Sequence, residues 1–522
     1  MNKRVTGALI LLVLGAISIV SVWILLPRLQ EFRQRSTSDA GRMRGKITLA
    51  LDNWIGYFIL RSPEMKNLMR RAGLSLMIED DRADYQTRMK RLKAGELDFA
   101  VATVDSYILN GASLGFPGSI IMVVDESKGG DAILARRDRV PSLDALKGTT
   151  DIRVAFTPNS PSNHLAKAAA YHFNVPELLP TSPTRRIETK GSEEAFTKLI
   201  SGTTDVAVLW EPDVSRALAH NGIAKILGTE DTEKLIVDIL LVNRKYSQKN
   251  PGVIKDFLSA YFQSLKMYQE NRDILRKEVM AETGLPGAAV DTMLKGVKWV
   301  NLTQNCEEWF GIAPPGGHAD SGLRTAIDSA ARVLVNAGDF DANPLPDGDP
   351  YRLTYSAYLE DLFVTGSVGF TKPGADPAGA FSKQRKASFQ ELTAEQWDQL
   401  KEVGTLKLDP VAFQHGHSSL DLLGKEAVDK AVELLSHYPS FRLVVKGHTD
   451  TRGDPEQNRR LSQERAEAVA RYLTVAHNVD PARIRAVGYG GERPLPRSED
   501  EPLRSWQYRL PRVELVLVRE EY

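Results

Sequence analysis

The most apolar stretch of the chain lies near its N-terminus. Gly7 to Leu26 reads GALILLVLGAISIVSVWILL, uncharged and with only Ser18 and Ser21 as hydroxyls. As a helix rising 1.5 Å per residue it is about 30 Å long, which matches a bilayer hydrocarbon core. A cleavable leader has a shorter apolar run, about 7–15 residues, followed by a small-x-small site. Here the run is followed by Pro27, Arg28, Glu31, Arg33 and Arg35 instead. The pattern therefore predicts a cytoplasmic tail over 1–6, an uncleaved transmembrane signal anchor over 7–26 and a juxtamembrane linker over 27–45. Lys3 and Arg4 precede the helix and three arginines follow it, so flanking charge does not orient it.

From Lys46 to Asp341 the pattern changes to short apolar strands alternating with amphipathic helices, as in an α/β architecture. Lys46–Leu51, Asp98–Thr103, Arg153–Phe156 and Asp205–Trp210 read as strands. Gln86–Ala94 reads as a helix stopped by Gly95, and Asn163–Phe173 as another. Val253–Tyr268 carries Ile254, Phe257, Leu258, Tyr261, Phe262 and Leu265 at helical spacing behind a Pro251–Gly252 start. Residues 342–405 begin with proline, glycine and aspartate (NPLPDGDP, later TKPGADPAGAFSK), the composition of an extended linker. Within it the apolar segment Tyr355–Val364 is predicted to dock on the preceding domain.

Residues 406–522 read as β-α-β-α-β. Leu408–Phe413 and Phe441–Val445 are predicted strands and Lys425–Leu435 a helix. After the turn GHTDTRGD, Asp454 and Pro455 open a long helix, with Gln457 placed for a capping box. On that helix Leu461, Ala468, Val469 and Tyr472 form an apolar stripe, and Arg465 lies about 40° or less from its edge. An arginine turned toward protein calls for a carboxylate, and Asp450 in the preceding turn is the nearest candidate.

The blocks GHTDTRG (Gly447–Gly453), Asn458, LSQERA (Leu461–Ala466), GYGGERP (Gly488–Pro494) and RVEL (Arg512–Leu515) resemble the OmpA C-terminal family. The resemblance implies a peptidoglycan-binding domain in which Asp450 and Arg465 hold the diaminopimelate of the stem peptide and Asn458 assists. An amino-acid centre presents an ammonium and a carboxylate, so one acid and one guanidinium are complementary clamps. The alternative is that the two merely bridge each other. One departure is Leu510-Pro511-Arg512, where the family has Asn-Arg-Arg, and Arg509 is the candidate replacement. His448 reads as a turn residue.

LDNWIGY (Leu51–Tyr57), RLKAGELDFAVAT (Arg91–Thr103), VVDESKGGDAILARRD (Val123–Asp138), SPSNHLAK (Ser160–Lys167) and LWEPDVSRAL (Leu209–Leu218) resemble the solute-binding proteins of nitrate, sulfonate and taurine ABC importers. That implies two α/β lobes over 46–341, chain crossings near 125–140 and 225–240, and a ligand cleft closed by hinge motion. By position the cleft would take Asn53, Trp54, Tyr57, Thr103, Asp105, Ser160, Ser162, Asn163, Trp210 and Glu211. Ser160–Asn163, at a helix start, suits an oxyanion; Asp105 and Glu211 suit a cationic group of the same ligand. Plain interlobe packing for Trp54 and Trp210, and an ordinary cap for Ser162, are the alternatives.

The whole chain thus reads as α/β plus α+β, with a transmembrane helix, a two-lobed domain and an OmpA-like domain. Lysine plus arginine (67) equals aspartate plus glutamate (67), so no global field favours nucleic acid. The single cysteine, Cys306, excludes an internal disulfide or a thiolate zinc site and reads as a buried hydrophobe. No nucleophile elbow, P-loop or paired metal-ligand histidines appear, and His415 and His417 sit in a polar loop, so neither enzyme activity, metal nor cofactor is expected. The expected protein is a single-pass inner-membrane protein with its bulk in the periplasm. It binds an anionic or zwitterionic small molecule and peptidoglycan, with an ABC permease or another inner-membrane protein as partner. A static tether, or a stator-like element, is the alternative. The stator is disfavoured because Gly7–Leu26 lacks an ionisable carboxylate.

Overall fold

A computed structural model of the protein describes residues 44–313, 319–365, 389–414, 418–498 and 500–520. The predicted anchor and the loop histidines lie outside these residues. Among the described residues no helix is long and apolar enough to cross a membrane.

Three sheets organise the chain. The first contains β1 (Gly45–Leu51), β2 (Leu74–Asp80), β3 (Phe99–Thr103), β4 (Gly118–Ser127), β10 (Val237–Asn243) and β11 (Val297–Trp299) in the order β11-β4-β10-β3-β1-β2. The second contains β5 (Asp131–Arg136), β6 (Val154–Phe156), β7 (Arg186–Glu188), β8 (Val206–Trp210) and β9 (Ile223–Gly228) in the order β7-β6-β8-β5-β9. β3, β4 and β10 are buried on both faces, so they read as unbroken apolar runs rather than as alternation. Helices stop where local chemistry ends them: Tyr85–Ala94 closes on Gly95 at φ 79°, a left-handed position that glycine adopts without penalty.

The chain leaves the first sheet between Ser127 and Asp131 and returns between Gly228 and Val237, inside the two predicted crossing intervals. The crossings are tied together at Thr229. Its hydroxyl lies 2.8 Å from that of Ser127, accepts the Gly129 amide at 2.9 Å and donates to the Asp131 carbonyl at 3.1 Å. Two adjacent connecting segments thus join the two lobes.

The linker expectation is only partly met. Pro350–Leu353 and the helix Ala357–Thr365 pack on the first lobe, burying Leu353, Tyr358, Leu359 and Leu362. Tyr358 and Ser247 share a hydroxyl hydrogen bond of 2.9 Å, and Cys306 lies buried against the Leu359 carbonyl at 4.0 Å. Burial lifts the Cys306 thiol to about 12, which keeps it protonated and inert. The docking of Tyr355–Val364 read from the sequence is thus what the fold contains. An extended connector over the whole of 342–405 is not.

The third sheet comprises β12 (Lys401–Leu406), β13 (Arg442–His448), β14 (Ile484–Gly488) and β15 (Arg512–Arg519), ordered β12-β15-β13-β14. It has four strands rather than the three expected. The first strand lies upstream of the predicted Leu408–Phe413, because Gly404, Thr405 and Leu406 pair with β15 beyond a bulge at Val403, while Leu408–Phe413 wraps over the helix Leu422–Leu435 side of the domain. The long helix Pro455–His477 is capped by Asp454, whose carboxylate accepts the Gln457 amide at 2.8 Å; this is an N-cap without the reciprocal half of a capping box.

Two glycines of the sequence blocks explain themselves here. A Cβ on Gly447 would fall 2.0 Å from the Ser462 carbonyl oxygen, and one on Gly488 would fall 2.3 Å from the Gln463 nitrogen. Backbone of the long helix lies directly on the sheet, so no side chain fits. Gly447→Ala is expected to destabilise the C-terminal domain by about 1–3 kcal/mol, the usual cost of overpacking. Chemical denaturation would measure it; an unchanged midpoint would contradict the close approach.

The second lobe and the C-terminal domain share one hydrophobic core that includes Phe156, Leu165, Phe173, Val403, Leu406, Leu435, Tyr438 and Phe441. Thr405 donates to Asp144 at 3.0 Å, the Lys407 amide to the His172 carbonyl at 2.6 Å, and Arg519 pairs with Asp231. The His172 and His437 rings stack at 5.3 Å. His172 reaches the Tyr438 hydroxyl at 2.8 Å, and His437 reaches Ser329 at 2.9 Å. A Cβ on Gly404 would meet the Phe173 ring at 2.7 Å. The C-terminal domain is seated on the second lobe rather than hung from it.

Candidate functional sites

Between the lobes the structure gathers carboxylates. Asp125 on β4 and Asp238 on β10 stand directly opposite in antiparallel register. Like charges so placed repel, and both groups are buried. Burial above all pushes both carboxyls up in pKa; the charge of Asp125 adds to this at Asp238, and the charges of Asp131 and Glu126 add to it at Asp125. The indole N–H of Trp54 donates to Asp125 at 3.2 Å, and the Tyr57 hydroxyl donates to Asp238. Asp52 is buried beside them but is paired with Arg88, which also binds Asp81.

Asp105 follows β3 and Asp131 opens β5, so each projects from a strand end at the lobe junction. Burial, with the charges of Asp105 and Glu211, raises Asp131 to about 7. The lobes touch here: the Ser106 hydroxyl donates to the Asn159 carbonyl at 3.3 Å, and Thr103 donates to Ser106 at 2.9 Å. Asp105 Oδ1 and Asn163 Oδ1 are buried acceptors without a protein donor. Asn163 lies on the helix Pro161–His172, which packs against the helix Val104–Gly111 that begins beside Asp105.

The predicted cleft residues divide. Trp54, Tyr57, Thr103, Asp105, Asn163 and Glu211 are buried around the lobe junction. Half-buried Trp210 stands opposite Asp131 in the second sheet yet packs against the first lobe's core. Trp54 edges over Gly130, where a Cβ would lie 2.1 Å from its ring. Asn53 is exposed and outside the group. Ser160 and Ser162 are already engaged: Ser160 caps its helix by accepting the Asn163 amide at 3.5 Å, and Ser162 donates to the Val208 carbonyl at 2.9 Å. Glu211 accepts the Ser215 amide at 3.1 Å and hydroxyl at 2.7 Å. Asp125, Asp131 and Asp238 escaped the sequence reading. Asp125 and Asp131 sat in the quoted VVDESKGGD string, where a GG pair between two acids at strand ends was the available signal.

In the C-terminal domain Asp450 lies in the turn after β13. It accepts the Arg452 amide at 2.8 Å and is paired with the Arg452 guanidinium at 2.6 Å, which holds its carboxyl below the usual range. The alternative reading, a bridge between Asp450 and Arg465, is not found among the described residues. Arg465 instead lies half-buried with its guanidinium 5.0 Å over the Phe413 ring, its Nε without an acceptor. Desolvation lowers its pKa, the mark of a cation lacking a counter-charge. Asn458 donates to the Arg452 carbonyl at 2.7 Å and so shapes the turn. A Cβ on Gly491 would lie 2.5 Å from the Asp450 carbonyl, so GYGG backs the same turn. Arg509 is taken up by Glu501 at 2.7 Å and cannot replace the missing family arginine. His448 is not a turn residue: it closes β13 opposite Arg512, buried, stacked on Tyr489 and near Glu514.

Two α/β lobes and a smaller domain with a four-stranded sheet are what this topology defines. Residues 412–505 match the OmpA family. The peptidoglycan-associated lipoprotein of Pseudomonas putida is 34% identical over 147 residues, covering 28% of this chain and 86% of that protein. Through its C-terminal domain the chain belongs to the OmpA family. It also matches the photosystem I P700 chlorophyll a apoprotein A2 of Gloeobacter violaceus, 30% identical over 179 residues, covering 33% of this chain but only 19% of that protein. The described fold is similar to the periplasmic aliphatic sulphonate binding protein SsuA from Escherichia coli, at 15% identity and a TM-score of 0.46, covering 60% of this chain and 92% of that one. The two-lobed architecture rests on the chain's own two crossings.

Proposed function

We propose that this chain is a cell-envelope receptor that closes two lobes around a small solute while its C-terminal domain holds peptidoglycan. Support for the receptor half is the convergence of Trp54, Asp105, Asn163, Trp210 and Glu211 at one lobe junction beside the two connecting segments. A tether that had lost its ligand would need no such set of buried polar groups. The peptidoglycan half is supported by family membership and by Arg465, a desolvated guanidinium with no carboxylate partner among the described residues. In this reading Asp450 and Arg465 clamp the diaminopimelate centre and Asn458 holds the turn. Gly7–Leu26 anchors the chain in the inner membrane with the described domains in the periplasm. Its outlet is an ABC permease or a signalling partner.

The receptor half is tested by thermal unfolding of the full chain in detergent against a panel of anions, amino acids and amines. A ligand that binds only the native state raises the melting temperature with concentration. A flat response to every compound, with a cooperative melt, would leave a peptidoglycan tether as the function.

A further inference from the structure

The cleft's chemistry, taken with the receptor reading above on which this inference rests, is one-sided. Asp105, Asp125, Asp131, Asp238 and Glu211 are all buried at the lobe junction. Among the described residues no lysine or arginine forms an ion pair with Asp105, Asp125, Asp131 or Asp238; the nearby cations are spent elsewhere. Arg88 holds Asp52 and Asp81, Lys128 and Lys298 hold Glu126, and Lys167 holds Asp339. Buried carboxylates without counter-charge are costly, and each remaining lone pair seeks a donor.

Two independent observations say where that donor belongs. Asp105 Oδ1 from the first lobe and Asn163 Oδ1 from the second are buried acceptors with no donor, on helices packed against each other. The helix start expected to receive an oxyanion offers little, since the Ser160 and Ser162 hydroxyls are both committed to protein. Asp131 lies close enough to Asp105 for their charges to interact, and the indole rings of Trp54 and Trp210 pack at the same junction, one from each lobe.

We infer that the interlobe cleft binds an organic cation, a protonated amine whose N–H groups reach Asp105, Asp131 and Asn163 while Trp54 and Trp210 flank its charge. An alkylammonium supplies the donors that Asp105 Oδ1 and Asn163 Oδ1 lack and a positive charge to face Asp131, and aromatic faces attract it electrostatically. A bare metal ion fits less well: among the described residues no group of three or more acidic or histidine ligands is gathered for one. A sulfonate or phosphate entering here would face Asp105, Asp131 and Glu211 and be repelled. Such selection by repulsion is as effective as attraction.

The test is calorimetric titration of the full chain in detergent at pH 7.5 and fixed ionic strength. The probes are putrescine, agmatine and tetramethylammonium chloride, with ethanesulfonate and inorganic phosphate as the opposite class. The expected result is saturable binding of at least one protonated amine. Asp105→Asn and Asp131→Asn should each weaken it ten-fold or more, with unfolding temperatures equal to or above that of the parent because a buried charge has gone. Asp450→Ala should leave it unchanged. Amine binding that survives both cleft variants would overturn the site. Binding of ethanesulfonate or phosphate with inert amines would overturn the cationic class and leave a receptor. No binding by any of the five would overturn both this inference and the receptor reading.

Discussion

Arg465→Ala should leave the full chain in the supernatant when it is mixed with purified peptidoglycan sacculi and centrifuged, whereas the parent chain sediments. Arg465 is the one member of the proposed clamp that the fold leaves with neither a carboxylate nor an acceptor for its Nε. A stem-peptide carboxylate would restore both, and a planar guanidinium can meet it with two parallel hydrogen bonds. Truncating one partner of such a desolvated pair costs about 2–5 kcal/mol. Arg465 is only partly buried, so the low end of that range applies, a loss of about thirty-fold. Arg465→Lys should rescue poorly, because an ammonium cannot reproduce the fork. Asp450→Ala should also lose binding. Arg452→Ala is the informative control: Arg452 occupies Asp450 from within, so its removal should leave affinity unchanged or raised. If Arg452→Ala were as damaging as Arg465→Ala, the acid would belong to an internal bridge and not to a clamp.

Mild acid should loosen the C-terminal domain from the second lobe. His172 and His437 stack in the shared core, with Tyr438, Ser329 and the Glu233 carbonyl on them and Arg332 and His164 adding positive charge. Burial, foremost, and these cations lower both pKa values below the ordinary 6.5. A histidine depressed in the folded state binds fewer protons there than when unfolded. Its contribution is complete above pH 6.5 and is lost as pH falls from 6.5 through the folded value. The cleft titrates the other way. Asp131 is raised from 3.8 to about 7, so the protonated form favoured by the fold is fully present below 3.8, and stability declines as pH rises through 7. Scanning calorimetry from pH 5 to 8 should therefore show the interface melting lower in acid while the cleft-bearing lobes melt lower in base. His437→Gln should flatten the acid limb by several degrees in melting temperature, since about 1 kcal/mol shifts a domain of this size by 2–4 °C. Identical acid limbs in parent and variant would remove the histidines from the account.

The two halves of the molecule were legible in the sequence to different depths. In the C-terminal domain the long helix, its aspartate cap and the glycines of both blocks were readable, because capping and close backbone approach restrict residue type locally. The first strand was misplaced. Lys401–Leu406 earns its strand only by pairing with β15 more than a hundred residues later, a long-range contact that no local pattern encodes. The bilobal strands and helices of the middle domain were read to within a few residues, since buried strands and amphipathic helices differ in period.

The sites divide in the same way. That Trp54, Asp105, Asn163, Trp210 and Glu211 belong near a cleft followed from short strings, but their joint sign did not. Asp125 and Asp238 lie far apart in sequence and become one proton-sharing pair only through antiparallel register. Likewise Asp450 lay near Arg465 in a sequence argument, yet Arg452, two residues away, claims its carboxylate. What the amino-acid order determined by itself is the elements with clear periodicity and the family of the C-terminal domain, because helix periodicity, caps and glycine turns are short-range physics. Only the tertiary structure decided which charges meet, which cations are already spent and that the wall-binding domain rests on the second lobe. Desolvation and Coulomb energy depend on distances across the fold, not along the chain.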